Sequence, residues 1–196
     1  KIHDEAKECS LNECRFRKIY NLWGPFDIDL FSSRLNNKVD VFASWKPDPA
    51  ASFIDAFALD WSDKYFYAFP PFAMISKCVQ KICFDRAEGV LVVPKWPAQS
   101  WYARILQLTP DSPRFMRPGR SLLQLPGDLL AVRPLHAKLS LIAIRVSGRD
   151  WVESPQERLK LFSIPGETLR NPSTRCISKN GQNSVKKEEC MKFKPL

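Results

Sequence analysis

Two consecutive prolines, Pro70-Pro71, interrupt the most regular stretch of the chain and leave it few ways to fold. Neither has an amide hydrogen, so neither continues a helix or the ladder of a central strand. Before them, Lys64-Tyr65-Phe66-Tyr67-Ala68-Phe69 is strand-like; after them, residues 73–86 place Ile75, Cys78, Val79 and Ile82 on one helical face. Gly89-Val90-Leu91-Val92-Val93-Pro94 is then a continuous, largely β-branched apolar run, the mark of a strand covered on both faces. The chain therefore leaves a sheet in a stiff loop at the carboxyl end of a strand. In an open α/β sheet that edge is where ligands bind.

The same two periods alternate elsewhere. Ser10 followed by Glu13 fits a capping box. Phe16, Ile19, Tyr20 and Trp23 then fall at helical spacing before Gly24-Pro25 ends the run. Short strands are predicted at residues 27–31 and 39–45, the second stopped by Lys46-Pro47-Asp48-Pro49. Residues 50–61 read as a short helix or an irregular connection. Trp101, Ile105 and Leu108 suit a helix over 98–108, and residues 139–146 suit a closing strand. Strands separated by helices of this length predict an α/β fold with a mostly parallel sheet and flanking helices. From residue 149 the chain turns polar and aperiodic, which predicts a disordered C-terminal tail. The expected division is a lead-in helix over 1–24, an α/β domain over 25–148 and a linker or tail over 149–196.

Charge is distributed unevenly. Residues 1–102 hold 13 Lys/Arg and 13 Asp/Glu, whereas residues 103–196 hold 17 and 8 and so carry the whole net charge of +9. Such asymmetry points either to a polyanion partner or to a solubilising face. Cys9 and Cys14, like Cys78 and Cys83, are five apart, a spacing that suits no zinc knuckle, and only His3 and His136 could assist. No metal site is expected, and the thiols read as small apolar residues. No run approaches the ~18–20 apolar residues of a membrane span, and the start has no signal-peptide core. These features predict an intracellular protein, and Lys1 in place of an initiator Met predicts a segment of a longer one.

Several separated motifs share an order. They are Asp29-Leu30-Phe31-Ser32-Ser33-Arg34-Leu35-Asn36, Ser44-Trp45-Lys46-Pro47-Asp48-Pro49, Asp55-Ala56-Phe57 with Asp60-Trp61, Tyr67-Ala68-Phe69-Pro70-Pro71-Phe72, and Val92-Val93-Pro94-Lys95-Trp96-Pro97 with Gln99-Ser100-Trp101. In this succession the chain resembles the polyprotein of DIRS-like, tyrosine-recombinase retrotransposons, in the segment between RNase H and the recombinase. The resemblance covers about residues 9–148 and is weaker at Lys179-Asn180-Gly181 and Phe193-Lys194-Pro195-Leu196. That segment is in turn similar to phage Dam-type adenine-N6 methyltransferases, which implies a Rossmann-like, methyltransferase-like fold and S-adenosylmethionine as the cofactor of any active member. It also implies nucleic acid as a partner, beside the reverse transcriptase, RNase H and recombinase domains of the same polyprotein.

By that resemblance the catalytic loop corresponds to Phe69, Pro70, Pro71 and Phe72. Phe72 keeps the aromatic that stacks on a flipped-out base. Phe69 stands where the family has a polar acceptor for the target amino group, and its ring accepts no such bond. Loss of a polar contact to a reacting group costs about 3–4 kcal/mol in comparable sites. The resemblance thus implies a non-catalytic module, with an active adenine methyltransferase as the alternative. Asp29 and Phe31 occupy the first cofactor motif, though no glycine follows to admit a close ligand. Asp55 is the candidate for a ribose hydroxyl, with Asp60 as a second; a capping carboxylate is the structural alternative for each. Lys95, Trp96, Trp101 and Arg104 form an aromatic-basic stretch on the same predicted edge, suited to stacking on single-stranded bases if the tryptophans are exposed.

Overall fold

The computed structural model describes residues 9–119, 122–124, 138–149 and 194–195. The chain divides into two compact units, Lys1–Trp151 with Lys192–Leu196, and Val152–Met191. The predicted tail, His136, Cys176 and Cys190 lie outside the described residues, apart from Arg149 and the pair 194–195.

The first unit is an α/β sandwich. Its elements are β1 (Ser10–Leu11), α1 (Glu13–Trp23), β2 (Ile28–Asp29), β3 (Ala43–Ser44), β4 (Phe53–Ile54), β5 (Tyr65–Ala68), α2 (Ile75–Phe84), β6 (Glu88–Pro94), α3 (Ser100–Gln107), β7 (Arg114–Met116), β8 (Leu123–Gln124), β9 (Leu141–Ser147) and β10 (Lys194–Pro195). The main sheet has the order β10-β7-β9-β6-β5-β2. A parallel ribbon of β3 and β4 joins it through a bridge between Asp29 and Phe42, and β1 pairs antiparallel with β8.

The sheet is mixed, where the sequence predicts a mostly parallel one. β2, β5 and β6 run parallel, as do β7 and β10, but β9 runs against both β6 and β7. Residues 141–144 of β9 are buried on both faces, and a doubly covered strand reads the same in either direction. The pattern therefore carries no information about the sense in which it enters the sheet.

Side-chain alternation divides the core into two layers. Tyr67, Val90, Val92, Leu141 and Ala143 face α1, which brings Phe16, Ile19 and Trp23 to them. Phe16 meets Tyr67 at 4.9 Å in an edge-to-face pair. Phe66, Leu91, Val93, Ile142 and Ile144 face α2 and α3, which supply Ile75, Cys78, Val79, Ile82, Trp101 and Ile105. Each fully buried aliphatic here contributes about 1.5–3 kcal/mol. Gly89 lies where a Cβ would collide with the Phe66 carbonyl, so β5 and β6 approach closely only with glycine at that position.

Three local expectations change. Ser10 belongs to β1, and the cap of α1 is Asn12, whose side chain accepts the Cys14 N–H at 2.9 Å. Glu13 instead pairs with Arg17 and Lys38. Tyr20, predicted on the buried face of α1, is 42% exposed. Residues 50–61 contribute β4 and a short 3-10 turn, Ala56–Ala58, and β7 arises where prolines hide any period. Among the described residues, no helix is long and apolar enough to cross a membrane.

Candidate functional site

Because β2, β5 and β6 run parallel, their carboxyl ends emerge along one edge. At β2 the chain divides that edge. The Leu30 N–H donates to the Tyr67 carbonyl on one side at 3.0 Å, and the Ser32 N–H donates to the Ala43 carbonyl on the other at 3.3 Å. Both neighbours follow β2 in the chain, β3 on one side and β5 on the other, so the strand order reverses here and makes a topological switch point, the usual position of a ligand crevice in an open α/β sheet.

The residues predicted for a cofactor lie around that fork, but their polar atoms serve the protein. Asp29 is 2% exposed. Its carboxylate accepts the backbone N–H groups of Lys38 at 3.0 Å and Phe31 at 3.4 Å. Burial pushes its pKa up to about 6, and those amides hold it from rising further. The loop it anchors is closed by its own bonds: Ser33 N–H to Asn36 Oδ1 at 2.7 Å, and Arg34 N–H to Asp48 Oδ2 at 3.1 Å. Phe31 is half-buried, its ring 5.5 Å from Phe57 and 6.2 Å from Trp61. Asp55 is exposed at φ 59°, and its carboxylate caps the 3-10 turn by accepting the Phe57 N–H at 3.0 Å. A non-glycine residue in that region costs on the order of 1–3 kcal/mol, offset here by the cap. Asp60 accepts the Ser62 N–H at 2.9 Å, which holds its carboxyl below the usual range.

The double proline follows β5 after one residue, Phe69. Pro71 is extended, and Phe72–Met74 then forms a 3-10 turn that leads into α2. Phe69 packs half-buried against the layer under α1, while Phe72 touches both core layers by lapping over the sheet end. Phe69 and Phe72 lie 6.4 Å apart at 66°, and Phe72 and Trp96 lie 5.2 Å apart at 78°. The loop after β5 and the loop after β6 are thereby joined into one line of edge-to-face rings, geometry favoured by the aromatic quadrupole.

The two tryptophans separate. Trp96 is 40% exposed, whereas Trp101 is 7% exposed and belongs to the core under α3, 5.8 Å from Tyr102. Trp101 therefore has no ring surface for a base, since its face was taken by packing. Lys95 extends its Nζ over the Phe115 ring at 4.8 Å, and its backbone N–H donates to the Ser140 carbonyl. Arg104 is half-buried in the last turn of α3.

Two cations escaped the sequence reading. Met116 pairs with Leu141, so Arg117 and Ser140 are the next residues outward on adjacent strands, and Lys138 lies just beyond. Arg117 and Lys138 are both exposed. No local pattern marks them, because only the register of β6, β9 and β7 brings them beside Lys95. Among the described residues, no group of three or more His, Cys, Asp or Glu side chains is placed to hold a metal ion. No protein-family model and no curated protein matches the chain.

Proposed function

We propose that the chain is a methyltransferase-like module of a DIRS-like retrotransposon polyprotein that has lost methyl transfer and contacts nucleic acid instead. The observation that carries this reading is the Phe69 ring, packed at the first position of the proline loop and in contact with Phe72. A receptor for an exocyclic amino group needs an acceptor at that position, and an unmet polar group there costs binding rather than supplying it.

The Rossmann-like part of the proposal is supported by the switch point at β2 and by the proline loop on the same edge. The cofactor half is filled with hydrogen bonds of the protein's own, so no S-adenosylmethionine is expected to bind. The partners are nucleic acid and the reverse transcriptase, RNase H and recombinase domains of the same polyprotein, in an intracellular setting.

Filter binding with DNA and RNA checks the contact. Retention is expected at low salt, declining as salt rises, because phosphate contacts release counterions; no retention at the lowest salt removes the nucleic-acid part. Calorimetry with S-adenosylmethionine checks the lost chemistry. No heat is expected, and saturable binding would instead favour an active adenine methyltransferase.

A further inference from the structure

Resting on the nucleic-acid reading above, we infer that the carboxyl edge binds single-stranded rather than duplex nucleic acid, with an unpaired base against Trp96 and phosphates beside Lys95, Arg117 and Lys138. Trp96 is held for such a role. It stands between Pro94 and Pro97, its N–H donates to the Pro94 carbonyl at 3.0 Å, and Phe72 braces its ring at 5.2 Å. A large aromatic fixed in this way, yet 40% exposed, presents contact area at little cost in side-chain entropy. In a duplex the faces of the bases are covered by their neighbours, so ring stacking is open only to unpaired bases.

Among the described residues, the three chain segments that end at this edge beside Trp96 carry charge of one sign. Segments 94–100, 116–119 and 138–141 contain Lys95, Arg117 and Lys138 and no acidic residue. Lys95 and Arg117 follow strands that flank β9 on either side. Two strand spacings, about 10 Å, therefore separate their backbones, and the cations border a track rather than a point. A track of phosphates beside a stacking ring is the pattern of a strand lying along the sheet end.

Fluorescence anisotropy of the full chain at low salt tests this, using labelled oligo-dT and oligo-U, each alone and annealed to its complement. Both single strands are expected to bind at least about tenfold more tightly than their duplexes. Trp96→Ala should lose about tenfold for single strands, within the range for one base–aromatic stack, and leave duplex affinity unchanged. Trp96→Phe should restore most of the loss. The double variant Lys95→Ala/Arg117→Ala should flatten the salt dependence by roughly 0.7 log units per cation removed. Equal affinity for duplex and single strand, or no effect of Trp96→Ala, overturns the inference and leaves the broader reading standing. Absence of binding to all four probes overturns both.

Discussion

Around β2 the side chains at the carboxyl edge turn inward, whereas around β5 and β6 they face solvent in part. Asp29, Asn36 and Asp48 spend their oxygens on backbone amides of one loop. Farther along the same edge, Phe69, Phe72 and Trp96 spend almost no polar capacity and leave ring surface outside. The contrast is informative because an open α/β sheet ordinarily uses both parts of such an edge for one ligand. Here one part is taken up by the protein's own hydrogen bonds, and the other leaves aromatic surface exposed.

The largest effect expected to sharpen that contrast comes from Asp29. Its pKa is raised from the ordinary 3.8 to about 6, so between these values the native chain binds more protons than the unfolded one. Stability should therefore fall as pH rises through that window, by up to about 3 kcal/mol, with the full contribution present below about pH 4. Asp48, Asp60 and Asp111 are held below their usual range by hydrogen bonds from the Arg34 amide, the Ser62 amide and the Trp23 indole, and they act in the opposite direction. The readout is thus the difference between parent and Asp29→Asn in urea unfolding at pH 4 and pH 7. A parent that does not lose stability relative to the variant between pH 4 and pH 7 would mean that the β2 carboxylate is not buried as described.

Phe72→Ala is next. The ring is half-buried and bridges both core layers, so a loss of about 2 kcal/mol is expected, below the ~3–5 kcal/mol of a fully buried phenylalanine. Because Phe72 also braces Trp96, the variant should lose single-strand affinity while still folded, as followed by anisotropy after a check of its unfolding midpoint. Unchanged affinity would separate the ring line from the contact surface.

The smallest effect is assigned to Trp45. It is 52% exposed, more than Trp96, but belongs to the β3–β4 ribbon, where Lys46 Nζ sits 4.1 Å from its ring centroid. Trp45→Ala should cost no more than about 1 kcal/mol in stability and change oligonucleotide affinity less than twofold. A loss as large as that of Trp96→Ala would show that aromatic exposure alone, rather than a place beside the ends of β6, β9 and β7, governs binding.

Much of the order of elements was legible. The helical face Phe16-Ile19-Trp23, the doubly buried run at β6 and the break at Pro70-Pro71 follow from side-chain period and missing amide hydrogens, and the structure reproduces each. The cap at Asn12 was not, because Ser10 and Asn12 are both good caps and the pairing of β1 with β8 removes Ser10 from contention. The candidate site was half legible. Trp96 and Trp101 carry the same local signal of tryptophan near a strand end, yet one is exposed and the other lies in the core.

By itself the sequence determined where the chain turns, which faces are apolar, and that a rigid aromatic loop stands at the end of a strand. These are short-range consequences of backbone donors and side-chain period. Only the tertiary structure decided that β9 runs against its neighbours, that Asp29 points inward, and that Arg117 and Lys138 join Lys95. Such pairings couple residues far apart in the chain. They are set by the packing of whole layers and the register between strands, which no local window of residues contains.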